Sequence, residues 1–471
     1  MPTNGIAYLS PPPLAHTSLT AHRRRLFALG LYASGFLLIY ASFQFSARMN
    51  RLRLWFDPGW PTISSLECSL LFAAGCTLLI GGYALLLHAS TEFRTAPAGT
   101  AAKYVAVLFV LFMLLPSFLT EDIVSYYQQG WVSVVQHANP FAVPPDAFAD
   151  FPGRDLGATA NTHITAPYGP LWMIVSELVV RLCPYSTTTG IVIFKLVAML
   201  SACVIVLLIL KISALLALPD RTWLMLSVCA NPLFLLDGPG QGHNDIFTLM
   251  LMLSGIWLYL KYAKLPWIGL TVIFLAALSK PYGIIGFGIA IYHMFYTHRF
   301  GKVFWLNMLY TGLASVTCML VVSAPYVKTT DDLLLIYGMW NNRIPYHIQL
   351  TPVGILHHII TYIATVTGLS IYEALVSQVT TLTMIVLGAL AMLQTMALTR
   401  RPVAILASIG PVYAIGTLVF GYWRQWYVLW PLSFSFLLAG TRSWYVLIAY
   451  SSVALFTYVV TRSAGVSFLV P

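Results

Sequence analysis

The apolar run VAVLFVLFMLLPSFL, residues 105–119, ends on Thr120-Glu121-Asp122-Ile123. Two adjacent carboxylates stand where a transmembrane helix should be leaving the bilayer. Ionisable groups at that depth are costly, which makes the pair a functional-site hypothesis. The competing reading is a helix end that simply reaches the headgroups. From Ile123 onward the chain turns polar and aromatic until Ala166-Pro167-Tyr168-Gly169-Pro170, too hydrophilic a stretch to span a membrane.

The rest of the chain decides what kind of protein surrounds that stretch. Of 471 residues, 59% are hydrophobic and 8% charged, where a soluble protein carries about 25% charged residues. Long apolar runs recur from Leu26 to Val460, so the fold class is an all-α polytopic membrane protein. No soluble domain flanks the apolar part. Residues 1–21 read as a disordered cytoplasmic tail and residues 22–471 as a single transmembrane domain. The formal charge of +10 marks inner loops beside anionic lipid, not nucleic-acid binding. Six cysteines at 68, 76, 183, 203, 229 and 318 form no Cys-x-x-Cys pair, so they indicate neither a disulfide framework nor a metal site.

Lys and Arg set the expected topology. Arg23, Arg24 and Arg25 hold the amino terminus inside, although Arg48, Arg51 and Arg53 in the first outer loop count against this. Spans are expected near 26–45, 68–88 and 104–119, the third delivering Glu121-Asp122 to the outer face. Ile123–His137 reads as an amphipathic interfacial helix. Pro170–Leu182 is short for a crossing; if it spans, three later basic loops fall outside, and if it only dips in they fall inside, the arrangement the positive-inside rule prefers. Spans then follow near 189–210, 222–236, 245–260, 266–279, 282–297 and 303–325. Residues 353–369 lie flat by the same logic, and spans near 372–397, 403–420, 426–439 and 443–460 complete about thirteen transmembrane helices.

This topology gathers polar groups that the Lys and Arg counts did not use. Gly238-Pro239-Gly240-Gln241-Gly242-His243-Asn244-Asp245 is a tight turn that opens a helix with three polar residues. Asp245 there reads equally as a helix-terminus charge or as a functional group. Ser279-Lys280-Pro281-Tyr282-Gly283 breaks an apolar run, and breaks at membrane depth persist only inside protein or beside a wet cavity. Lys280 thus suits an anionic group such as phosphate. Arg424, at the outer end of a late span, reads as a phosphate ligand, a carboxylate partner or a snorkelling anchor. The external loop with Trp340, Asn342, Arg343 and Tyr346 suits sugar stacking and hydroxyl recognition, and an aromatic belt explains its Trp and Tyr equally well.

Glu121-Asp122 with Tyr126-Tyr127 and Gly130, Asn139-Pro140-Phe141, Ala166-Pro167-Tyr168-Gly169-Pro170-Leu171-Trp172, Asn231-Pro232, Gly242-His243-Asn244-Asp245, Lys280-Pro281 and Trp426-Tyr427-Val428-Leu429-Trp430-Pro431 occur in order. The set resembles the integral-membrane glycosyltransferases of the type C (GT-C) fold. Within them the chain is most similar to the polyprenyl-phosphate-mannose-dependent mannosyltransferases. The carboxylate loop follows the third expected span here, where that family has it after the first.

The resemblance implies transfer of a hexose, mannose above all, from a polyprenyl-phosphate donor to a lipid-linked or glycan acceptor hydroxyl. It places the site on the non-cytoplasmic face of a bacterial inner membrane. Asp122 matches the family's general base, with Glu121 second. Lys280, Arg424 and His243 are the expected phosphate-binding groups. Tyr126, His163, Tyr168, Asn244, Asp245 and the four residues of the 340–346 loop are the expected sugar and acceptor contacts. Asp122, His243 and Asp245 leave a divalent metal open. A transporter or lipid-linked-sugar flippase is the alternative, since it too uses broken helices and buried charges. Polar groups at one face, away from the midplane, favour the enzyme.

Overall fold

The computed structural model describes residues 18–44, 64–89, 98–117, 119–154, 161–338, 402–419 and 424–463, with a few isolated positions between them. Every regular element among these residues is helical. In chain order the helices are α1 (Ser18–Gln44), α2 (Ser65–Ala89), α3 (Ala98–Met113), α4 (Asp122–Val134), α5 (Pro170–Leu182) and α6 (Thr187–Leu215). They continue with α7 (Arg221–Cys229), α8 (Pro232–Leu235), α9 (Asn244–Lys261), α10 (Pro266–Ser279), α11 (Gly283–His298) and α12 (Lys302–Ser323). Last come α13 (Thr330–Gly338), α14 (Pro402–Ala407), α15 (Ile409–Val419), α16 (Leu429–Phe434) and α17 (Arg442–Ser463).

Three apolar stretches are long enough to cross a membrane by length and composition: Leu66–His88, Thr187–Leu215 and Lys302–Tyr326. Four shorter ones, Leu26–Ser42, Gly99–Met113, Pro266–Ser279 and Ile405–Leu418, are apolar but under that length. At 1.5 Å per residue, the 29-residue α6 is about 43 Å long, more than the roughly 30 Å hydrocarbon core. On α12, Leu309, Leu313, Leu320 and Val321 all stand out of the protein. A stripe of that kind has a place against lipid and not against water. This is a membrane protein.

Several expected boundaries move, each for a local reason. The third helix ends at Met113, not Leu119. Pro116 lacks an N–H and clashes with the preceding turn, and the helix end tightens through Leu114 N–H to Leu111 C=O and Leu115 N–H to Phe112 C=O. The carboxylates are therefore reached by a non-helical link. The expected span 222–236 is broken at Asn231-Pro232 into α7 and α8, followed by a π-helical turn over Leu236–Gly240. The Asn231 side chain accepts from Leu233 N–H at 3.0 Å and caps the break. The stretch 426–439 likewise divides into short helical pieces around Pro431.

The segment expected to lie as an amphipathic helix in the interface is α4, but every residue from Ile123 to Val132 is buried. α5 and α6 pack against it, and residues within 139–154 and 161–169 touch it as well. Gln128, for example, donates to Pro152 C=O at 2.9 Å. The expected tail 1–21 gives way to helix at Ser18, and its residues 1–17, the flat segment 353–369 and the span 372–397 lie, apart from isolated positions, outside the described residues.

Candidate functional site

Four helix termini meet at one place: the start of α4, the start of α9, the break between α10 and α11, and the residues just before α16. Their local sequence explains why. In the turn before α9, Gly242 takes a φ of +73°, and a Cβ there would lie 2.6 Å from Ile123 Cδ1. Glycine alone adopts that backbone without strain. The Gly-Pro before α5 works by approach. A Cβ on Gly169 would fall 2.1 Å from the carbonyl oxygen of Leu278, so only glycine lets its N–H reach Ser279 C=O at 2.9 Å. That bond fixes the end of α10 one residue before Lys280.

At the centre, Lys280 Nζ donates to both carboxylate oxygens of Asp245, at 2.8 and 2.7 Å. Trp430 Nε1 donates to Asp245 Oδ1 at 2.6 Å, and the whole Asp245 side chain is sealed from solvent. Lys280 also lies 4.9 Å over the Tyr427 ring and donates to Asn244 Oδ1 at 3.4 Å. Tyr126, fully buried in α4, donates to the same amide oxygen and accepts from Asn244 N–H, both at 3.3 Å. Its ring meets Tyr168 and Trp172 edge-on at 4.9 and 5.1 Å.

Beside this sealed core stands a more open carboxylate. The Asp122 side chain is 20% exposed, and its Oδ2 lies 3.7 Å from His243 Nδ1. Its backbone N–H donates to Thr120 Oγ1 at 2.9 Å. Burial raises the Asp122 pKa above the ordinary carboxylate value, while the charges of Lys280 and Arg424 pull it down and that of Asp245 pushes it up. The His243 ring stacks on Trp426 with centroids 4.4 Å apart, and the Arg424 guanidinium lies 5.8 Å from the centre of the same Trp426 ring. Burial, then the Lys280 charge, holds His243 well below its usual pKa, so its ring is neutral at pH 7.

Of the site residues expected from sequence, Asp122, Glu121, Tyr126, Tyr168, His243, Asn244, Asp245, Lys280 and Arg424 fall within this one constellation or border it directly. His163 is exposed on the 161–164 turn and touches none of them among the described contacts. Trp340, Asn342, Arg343 and Tyr346 lie outside the described residues. Among the described residues no three His, Cys, Asp or Glu side chains converge to hold a metal ion, because Asp245 is taken up by Lys280 and Trp430.

Sequence reasoning missed four residues of the site as individuals. Trp426 and Trp430 were legible only as part of an aromatic motif. Gln241 and Lys195 shape the link that carries Asp122. Gln241 Oε1 accepts from Leu119 N–H at 3.0 Å while its Nε2 donates to Pro116 C=O at 3.3 Å. Lys195, with no exposure, donates to Leu115 C=O. A lysine well inside the long apolar run of α6, in contrast to Lys211 near its end, was the available signal.

No curated protein and no solved structure matches the chain significantly. Residues 27–296, more than half of the chain and all of the site except Arg424 and its late aromatic wall, match the family described as Alpha-(1->6)-mannopyranosyltransferase, N-terminal domain. That family is enzymatic, which sets the transporter reading aside. The chain belongs to the alpha-(1->6)-mannopyranosyltransferase family and is an alpha-mannosyltransferase.

Proposed function

We propose that the chain moves mannose from a polyprenyl-phosphate donor to a hydroxyl of a lipid-linked or glycan acceptor, with Asp122 as general base and inversion at the anomeric carbon. The observation that carries this reading is the contrast between two carboxylates. Asp245 is sealed and neutralised by Lys280, so it has no capacity left for a proton from substrate. Asp122 is partly open and, among the described residues, has no Lys or Arg within ion-pair distance, yet lies within the field of Lys280 and Arg424.

In the reaction the acceptor oxygen attacks the anomeric carbon and its proton passes to the Asp122 carboxylate. The bond from that carbon to the phosphate oxygen breaks, and the electron pair leaves with the phosphate. The leaving group is already an anion, so it needs cationic stabilisation more than a proton. Arg424 suits that role with a planar guanidinium, because the Lys280 charge is already paired with Asp245. A carboxylate whose pKa is raised by burial is a stronger base than one in water.

The expected topology fits this scheme: a GT-C arrangement of about thirteen crossings, with the site on the non-cytoplasmic side of a bacterial inner membrane. The decisive experiment is mannose transfer by purified protein in detergent, from polyprenyl-phosphate mannose to a membrane glycolipid extract. Asp122→Asn should lower turnover by about a hundredfold or more, and Glu121→Gln should leave most of it. Equal turnover in wild type and Asp122→Asn would remove Asp122 from the role.

A further inference from the structure

His243 is deeply buried at the edge of the site. Its side chain is 1% exposed, and neither ring nitrogen has a hydrogen-bond partner among the described residues. Buried polar atoms are almost always paired, so an orphan in a native site calls for an explanation. The next residue repeats the pattern. Asn244 Oδ1 is engaged by Tyr126 and by Lys280, a cation that can only donate and so fixes the amide's orientation, while Asn244 Nδ2 is buried without a partner among the described residues.

A phosphate does not explain the imidazole. It would sit against the Asp122 carboxylate, whose Oδ2 is 3.7 Å from Nδ1, and a neutral ring brings no charge to offset that repulsion. A hydroxyl does. One oxygen about 2.8 Å from each of two atoms that are 3.7 Å apart makes an unstrained triangle, within ordinary hydrogen-bond lengths. It can give its proton to Asp122 and accept from, or share with, the imidazole. Trp426, stacked flat on the ring, prevents the imidazole from turning away.

We infer that His243, with the amide of Asn244, seats the acceptor sugar's nucleophilic hydroxyl against Asp122, and that the donor phosphate binds apart from it on the Arg424 side. The inference rests on Asp122 lying in the reaction centre, as proposed above, and replaces the expectation that His243 binds phosphate.

The test uses the full-length protein with α-(1,6)-linked mannobiose as acceptor and polyprenyl-phosphate mannose as donor. His243→Phe keeps the aromatic stack on Trp426 and removes both nitrogens. It should raise the acceptor KM about tenfold or more and leave the donor KM unchanged. His243→Asn, which returns an amide near the Nδ1 position, should recover most of the acceptor KM. Should His243→Phe fail to fold, His243→Ala removes the same nitrogens without added bulk and carries the same expectation. Mannobiose binding, read by tryptophan fluorescence in an Asp122→Asn background, separates this inference from the identity of the base. A tenfold loss on adding His243→Phe there supports the seat even if Asp122→Asn proves active. A rise in donor KM in place of the acceptor's, or no change in either, overturns it.

Discussion

Asp245 and Lys280 form the site's ion pair across two helix ends, through both carboxylate oxygens at 2.7 and 2.8 Å. Asp245 sits at the first turn of α9 and Lys280 at the break after α10, and α9 and α10 pack along one another. The pair is therefore a pin holding two neighbouring helices at one level. Trp430 adds a third strut by donating to Asp245 from α16. Desolvating two charges is costly, and the pair holds because geometry and a further hydrogen bond satisfy it.

Removing one partner should then be worse than removing both. Lys280→Met and Asp245→Asn should each destabilise the protein by about 3–5 kcal/mol, since each leaves a buried group uncompensated. The double variant should lose clearly less than the sum. Thermal unfolding in detergent measures this, and strictly additive losses would show that the pin carries no coupling.

The pH profile of transfer reports on Asp122. A base works when deprotonated, so kcat/KM should rise with pH through an apparent pKa above the ordinary carboxylate value of 3.8. Arg424 lowers the Asp122 pKa, so Arg424→Gln should move that rising limb to higher pH as well as slow turnover. A limb that stays in place or moves toward acid would mean that a different group titrates.

Gly169→Ala tests the approach of the Ala-Pro-Tyr-Gly-Pro segment to α10. The new Cβ would meet the backbone of Leu278 at 2.1 Å, and backbone cannot swing aside as a side chain can. The variant should lose about 1–3 kcal/mol of stability and, by shifting Ser279 and Lys280, lose transfer too. A variant with wild-type melting and turnover would mean that the two segments are not so close in the working protein.

Much of this protein was legible in one dimension, because membrane insertion writes itself as composition. The apolar runs that became α6, α10 and α12 have bounds within a few residues of those expected. Glycine and proline marked the turn before α9 and the break before α11, since backbone freedom and a missing N–H are local properties. The polar residues at those interruptions were also visible as residues that hydrocarbon does not tolerate.

Tertiary structure alone decided which of them do what. Asp122 and Asp245 look alike in sequence, each a carboxylate at a helix start. Only packing seals one with Lys280 and Trp430 and leaves the other 20% exposed beside His243. The burial of α4, against the expected interfacial face, comes from α5, α6 and residues such as Phe148, Pro152 and Asn161 packed on it. A helix's own periodicity carries no record of what covers it. Lys195 and Gln241 reach the Asp122 link from residues 80 and 122 positions away, and contacts at that separation exist only once the helices have assembled.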